Sequence, residues 1–578
     1  MTKHFRHKLP FGAETRPGAA TGFRIWAPSA AALQLRLPDG DIPMHAEAEG
    51  WHAIDAEAAA GTPYNYVMPD GLVVSDPASR MQHDDVHGPS VVVDPEAYEW
   101  RHSGWVGRPW HEAVIYEAHA GIMGGFAGVR ARLPEIAALG VTVLELMPLA
   151  DVPGPRNWGY DGVLPFAPDR VLGTPDELKA LIDEAHGLKL MVMLDVVYNH
   201  FGPDGAYIHA FAKPFFREDL HTPWGAAIDF RRAEVRQYFI QNALYWIEEY
   251  RFDGLRLDAV HAISEEDFLI EVATAVRGVA GGRHVHLVLE HENNRAALLH
   301  GPAQRLFDAQ WADDMHHCLH VLLTGDAEGY YEDFQDATEL LARCLAEGFA
   351  YQGQIAPHLG RPRGEPSGHL PPTAFVVCLQ NHDQIGNRAM GERLTVLADP
   401  AALRAATALL LLSPFIPLVF MGEEWASTSP FLFFTSHNDE LAELVDEGRR
   451  GEFKHFSAFR DEATRARIPA PNAASTFEAS KPARTDPAHA EWVAALLRLR
   501  HAHIVPGIPG CRSLGVTVLG HAAVEAAWEM GDGKRLTICM NLGDTAMEIA
   551  PAGRIALFAT PGAGLDHLPP ASTVVSLG

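Results

Sequence analysis

Three carboxylic acids in this sequence stand where short apolar runs end. In the run 253–260, DGLRLDAV, Arg256 and Asp258 share one face of an extended segment while Leu255 and Leu257 take the other. The run 285–290, VHLVLE, ends in Glu290, and the run 374–383, AFVVCLQNHD, ends in Asp383. Cleavage of a glycosidic bond needs such a set: one carboxylate to attack or stabilise an oxocarbenium-like centre, and one protonated acid to give the leaving oxygen its proton. Asp258, Glu290 and Asp383 supply it with one to spare. A guanidinium two residues before Asp258 holds that carboxylate ionised, which suits a nucleophile rather than an acid. A lone Asp at a strand end is more often a cap or a solvated loop residue. Three of them, with Arg256 and His382 alongside, point to catalysis.

Acids delivered by the C-terminal ends of separate strands require a parallel β/α architecture, whose chemistry sits at that face. The runs 113–117 and 141–147 read as the first two strands, with an apolar stripe at 133–139 between them. Thr174, Pro175 and Glu177 form a capping-box signature, Leu178, Leu181, Ile182 and Ala185 follow at helical spacing, and Gly187 offers a left-handed stop. That helix feeds a third strand at 190–197. A loop-like insertion runs from 199 to about 230, and Phe239, Ala243, Trp246, Ile247 and Tyr250 then mark a helix. The fourth and fifth strands carry Asp258 and Glu290, 307–311 reads as a sixth, the seventh ends at Asp383, and 417–421 is the eighth. Eight strands with helices between them indicate a (β/α)8 TIM barrel. The last helix begins at Asp486-Pro487, with Trp492, Leu496 and Leu499 facing inward.

Short alternating runs such as 22–26, 33–37 and 64–67, with a turn at 69–71, indicate a small N-terminal β-sandwich, whose aromatic residues read as sandwich core. Runs such as 536–540 and 554–558 indicate a C-terminal one. The expected division is 1–105, then a catalytic barrel over 106–503 with a short insertion at about 200–231, then 504–578.

With 578 residues and 47% hydrophobic content, the chain can bury several cores. A formal net charge of −28 argues against nucleic acid or an anionic membrane as partner and fits a neutral substrate. The five cysteines, Cys318, Cys344, Cys378, Cys511 and Cys539, are odd in number and scattered, so they read as buried thiols rather than a disulfide framework or zinc site. The N-terminal residues lack the apolar stretch of a signal peptide, and the most apolar window, 405–421, is broken by Pro414 and Pro417. A cytoplasmic protein is expected.

The segments 195–200 (DVVYNH), 254–258 (GLRLD), Glu290 and 381–383 (NHD) resemble the four signature segments of the alpha-amylase superfamily of retaining glycoside hydrolases. Within it, 157–163 (NWGYDGV), 198–205 (YNHFGPDG), 258–263 (DAVHAI), 434–441 (FTSHNDEL) with 447–450 (EGRR), and 476–481 (TFEASK) resemble the maltooligosyltrehalose trehalohydrolases. The segments 23–28 and 76–79 resemble the N-terminal module of starch and glycogen branching and debranching enzymes. The resemblance implies Asp258 as nucleophile, Glu290 as general acid/base and Asp383 as the third acid. It also implies that His200, Arg256 and His382 contact the sugar at the cleavage site, that Tyr160 stacks on it, and that His261 lies on the leaving-group side. The implied substrate is maltooligosyltrehalose, the products are trehalose and a maltooligosaccharide, and the implied pathway partner is a maltooligosyltrehalose synthase.

Other features have plainer readings. Glu292 is a decoy two residues past Glu290. Asn199 matches a calcium ligand of many amylases, but no acidic cage follows it, so neither metal nor cofactor is expected. The cluster 313–317, DDMHH, reads as a solvated loop with a helix cap, and Glu423-Glu424 as a helix start. After the first strand, 118–125 departs from the usual longer loop of the family, which implies a more open groove. Branching, debranching or general amylase activity is the alternative within enzymes, and a non-catalytic glucan-binding protein the alternative outside them.

Overall fold

The computed structural model describes residues 3–299, 306–549 and 555–578. Its centre is a closed barrel of eight parallel strands: β1 (Ile115–Ala118), β2 (Val143–Leu146), β3 (Met191–Val196), β4 (Gly254–Leu257), β5 (His286–Leu289), β6 (Ala309–Trp311), β7 (Phe375–Cys378) and β8 (Ile416–Phe420). Strand order follows the sequence, and pairing of Ile115 with Leu418 closes the ring.

Because strand side chains alternate, each strand sends every second residue into the barrel. The lower interior is apolar, built from Ile115, Val143, Met193, Val288 and Ala309. One step further along the same strands stand Glu117, Glu145, Asp195 and Arg256, all buried. The barrel therefore changes from apolar to charged toward its C-terminal face. Gly254 makes room for this packing, since a Cβ there would lie 2.5 Å from the His286 carbonyl oxygen and 3.1 Å from the Met193 side chain. At the opposite end, Asp253 accepts hydrogen bonds from Trp105 Nε1 at 2.9 Å and Val192 N at 3.0 Å, and pairs with His186 at 2.9 Å. One short stretch thus anchors the barrel floor and supplies its chemistry.

The helix Pro175–Gly187 has the expected capping box, with Glu177 N donating to Thr174 Oγ1 at 3.2 Å and Thr174 N to Glu177 Oε2 at 2.7 Å. Its stop differs from expectation: Lys189 takes the left-handed conformation with φ 66°, and Gly187 instead leaves space for the His102 ring. The helix Ala233–Glu248 buries Phe239, Ala243, Trp246 and Ile247, with Tyr250 just beyond its end. In Pro487–Leu499, capped by Asp486, the buried face is Val493, Ala494, Leu496 and Leu497, and Trp492 and Leu499 are half-buried at its margin. The insertion after β3 is not a plain loop. It holds the helix Ile208–Phe211 and a hairpin of Phe216–Thr222 with Gly225–Ile228.

Two antiparallel sheets precede the barrel, and a five-stranded antiparallel sheet with a two-stranded one follows it. Phe23, Tyr64 and Tyr66 are core of the N-terminal sheets, and Asp76 accepts the hydroxyls of Tyr64 at 2.8 Å and Tyr66 at 3.3 Å. Trp26 and Trp51 are only half-buried, and the Arg24 guanidinium lies 3.9 Å above the Trp51 ring. In the C-terminal sheet the expected strand at 536–540 lies within Arg535–Asn541. The one expected at 554–558 is Ala556–Ala559, Arg554 lying outside the described residues. All five cysteines are buried, and none is in a disulfide. Among the described residues no helix is long and apolar enough to cross a membrane.

Candidate active site

Arg256, fully buried on β4, is the hub of the charged layer. Its Nη1 donates to Asp195 Oδ2 at 2.7 Å and to Asp258 Oδ1 at 2.9 Å, and its Nη2 lies 2.8 Å from Glu290 Oε2. The guanidinium rests 4.1 Å from the centre of the Trp311 ring. Since Arg256 touches all three carboxylates, its nearness alone does not distinguish a nucleophile from an acid. Their other contacts differ.

Asp258 follows β4 directly, and its backbone N donates to Val196 O at 3.0 Å. Its Oδ2 accepts from Asn199 Nδ2 at 2.9 Å, so both carboxylate oxygens face donors. Glu290 follows β5, and its Oε2 takes both the Arg256 contact and a hydrogen bond from Ala259 N at 2.8 Å. Ala259 is in the left-handed region with φ 39°, a strained conformation for a residue with a Cβ, which turns its N–H toward the glutamate. Oε1 takes neither of these contacts. The Asp258 and Glu290 side chains are 11% and 19% exposed, enough for a sugar to reach them.

Asp383 departs from the expectation that all three acids end strands. β7 stops at Cys378, and Asp383 lies in the short helix His382–Gly386, capped by Asn381, whose Oδ1 accepts from Gln384 N at 2.9 Å. The side chain is 32% exposed and accepts from Asn387 Nδ2 at 3.2 Å. His382, one residue earlier, is buried, with its Nε2 3.4 Å from Asp383 Oδ1. Its Nδ1 meets Glu117 Oε1, and its backbone N donates to Glu117 Oε2 at 3.1 Å.

Tyr160 lies beside His382 with rings stacked at 5.1 Å and 20°, and its hydroxyl donates to Asp195 Oδ2 at 2.5 Å. Burial pushes Asp195 up to about 7 even though Arg256 opposes the shift. His200 Nε2 faces Tyr160 O at 3.0 Å, and its other nitrogen faces Asn199 Oδ1. The Trp224 ring, 47% exposed at the tip of the hairpin in the insertion, stacks on His200 at 4.8 Å and 11°.

Glu292 and His261 form the rim. The strand period does not extend past Leu289, so Glu292 does not point the way Glu290 does. Its side chain is 40% exposed and lies 3.8 Å from His261 Nε2 and 3.6 Å from Arg361 Nη2. The loop between them is pinned from below: Arg363 Nε donates to Glu292 O at 2.9 Å, and Arg363 Nη2 pairs with Asp314 at 2.8 Å.

The stretch 313–317 is not a solvated loop. It begins the helix Asp313–Thr324, in which Asp314 and His316 are buried, and Ala312, at the cap position, offers no side-chain bond. Asp314 also accepts from Asn294 Nδ2 at 2.9 Å. Asp313 faces the site, where burial, then the charges of Glu290 and Asp383, push it up to about 7. Sequence reasoning also passed over Glu117 and Glu145. Their signal is an acid inside an otherwise apolar strand, which in a barrel means an inward charge. Glu423 and Glu424 do open a short helix, and Glu424 accepts the Tyr116 hydroxyl at 2.7 Å away from the three acids. After β1, His119 is buried against Asn157 O at 2.8 Å. Among the described residues no group of three or more His, Cys, Asp or Glu side chains is placed to hold a metal ion.

Residues 101–223 match the family described as the alpha amylase catalytic domain, and residues 511–575 match a domain of unknown function, DUF3459. A malto-oligosyltrehalose trehalohydrolase from Deinococcus radiodurans is 40% identical over 484 residues, covering 81% of this chain and 78% of that protein. The chain belongs to the malto-oligosyltrehalose trehalohydrolase family. The trehalohydrolase of that name from Saccharolobus solfataricus is 39% identical over 459 residues, 77% of this chain and 80% of that protein. Among solved structures, a candidate alpha amylase from Salmonella typhimurium is 42% identical, with a TM-score of 0.94, over 99% of this chain and 100% of that one. Likeness to that solved structure therefore takes in the flanking sheets as well as the barrel.

Proposed function

We propose that this chain hydrolyses the α-1,4-glucosidic bond next to the trehalose end of maltooligosyltrehalose, with retention of configuration, releasing trehalose and a maltooligosaccharide. The observation that carries the reading is the Arg256 guanidinium, in contact with both Asp258 and Glu290, in a chain of the trehalohydrolase family. In the first step an Asp258 oxygen attacks the anomeric carbon while Glu290 gives its proton to the departing trehalose oxygen, which keeps the electron pair of the broken bond. Glu290 then takes a proton from water, the water oxygen attacks the same carbon, and Asp258 is released. Two inversions return the α configuration.

Asp383 is the third acid in this reading, stabilising positive charge on the ring. His200, Arg256 and His382 bind the sugar being cleaved, Tyr160 stacks on it, and His261 serves the trehalose side. We place the chemistry in residues 106–503 and the flanking sheets outside it. A maltooligosyltrehalose synthase is the pathway partner that supplies the substrate. Five buried thiols outside any disulfide support a reducing compartment such as the cytoplasm.

Product analysis tests the proposal. A short maltooligosyltrehalose should give free trehalose, and proton NMR should see the α-anomer of the maltooligosaccharide first. Immediate β-anomer would exclude double displacement, and conversion to a branched glucan would exclude hydrolysis at the trehalose end.

A further inference from the structure

Glu117 is two strands away from His382 in the ring, on β1, with β8 between it and β7. It reaches across the barrel and receives both the backbone N–H of His382, at 3.1 Å, and the ring Nδ1. The second ring nitrogen, Nε2, lies 3.4 Å from Asp383 Oδ1. A neutral imidazole donates from only one nitrogen, so one of these carboxylates would face a lone pair. An imidazolium satisfies both. The ring is held by Tyr160, stacked at 5.1 Å, and by the edge of Trp158 at 5.5 Å and 88°.

We propose that Glu117 is a positioning residue for the hydrolysis: it holds His382 as an imidazolium, and His382 in turn orients Asp383 beside the sugar ring. This rests on the reading of Asp383 as the third acid. Three further titratable groups face His382 besides Glu117, Asp383 and the stacked Tyr160: His119, Glu145 and Arg256. Glu145 is buried with neither carboxyl oxygen engaged, and burial, then the nearby Glu117 and Asp195, push it well up. Burial and Arg256 oppose the charge on His382, but the Asp383 and Glu117 carboxylates outweigh them and raise it to about 10. The Glu117 carboxylate also balances the imidazolium, so the site does not repel the positive charge that develops on the substrate.

The test uses the full-length enzyme with nitrogen-15-labelled histidine, the His382 signals being assigned with His382→Gln. Both ring nitrogens of His382 should be protonated at pH 8 in the parent, and only one in Glu117→Gln. In that variant kcat should fall about 10–100-fold, the usual loss when a carboxylate orienting a site histidine is removed. KM should change little. The alkaline limb of kcat should move down into the ordinary histidine range, and Glu117→Asp should bring it part of the way back. A merely structural role would lower kcat at every pH without moving that limb. A neutral His382 at pH 8 in the parent, or an unmoved limb in Glu117→Gln, overturns the proposal. Should Asp383→Asn keep full activity while His382 is an imidazolium, the third-acid reading fails and the Glu117–His382 pairing stands.

Discussion

Asn199 Nδ2 donates to both the backbone carbonyl and the Oδ2 of Asp258, at 2.9 Å in each case. The amide therefore fixes where Oδ2 points, while Arg256 takes Oδ1. Asn199→Ala should lower kcat/KM by about 10- to 100-fold, since a hydrogen bond to a charged group contributes roughly 1.5–3 kcal/mol. An unchanged kcat/KM in Asn199→Ala would show that this hydrogen bond does not orient Asp258.

Arg256→Lys tests the hub. An ammonium is a compact point charge and cannot offer two nitrogens in one plane to Asp195, Asp258 and Glu290. Breaking a buried pair leaves a carboxylate uncompensated, typically at a cost of about 3–5 kcal/mol. The variant should lose stability on that scale in denaturant and lose nearly all turnover. An unchanged denaturation midpoint would contradict the role of Arg256 as the shared counter-charge.

Glu290 and Glu292 are separable by chemical rescue. General acid catalysis contributes about 10²–10⁴-fold, and more when a poor leaving group must depart unprotonated. Glu290→Gln should nearly abolish turnover of the natural substrate yet react with an activated glycosyl fluoride, and added azide should yield a glycosyl azide of retained α configuration. Glu292→Gln, at the rim beside His261, should change binding on the trehalose side and leave the chemistry largely intact. Azide rescue of Glu292→Gln in place of Glu290→Gln would move the acid by two residues.

Asp313 sets a pH dependence. Pushed up by burial and then by Glu290 and Asp383 to about 7, it is neutral below that pH and charged above it. Asp313→Asn removes that titration, so a step in kcat/KM near pH 7 in the parent should vanish in the variant. A step near pH 7 that persists in Asp313→Asn would contradict the assignment.

The barrel was legible because its strands are apolar runs punctuated by turn residues, and because Asp258 and Glu290 stand at the first position after β4 and β5. Asp383 was found by its type, but its setting was not: the cap from Asn381 starts a helix that an apolar run does not announce. Glu292 was set aside as a decoy, and it stands at the rim beside His261 and Arg361. The burial of Asp314 depends on Arg363 and Asn294, which are distant in the sequence and show no local pattern. The hairpin that sets Trp224 over His200 needed a pairing between Phe216–Thr222 and Gly225–Ile228 that their composition hides.

The central claim is cleavage at the trehalose end, and a matched pair of substrates tests it most directly. The enzyme is given a maltooligosyltrehalose and a linear maltooligosaccharide with the same number of glucose units, and initial rates of product release are compared. Trehalose should be released from the first far faster than glucose or maltose from the second. Equal rates on the two substrates would contradict the account and leave a general amylase.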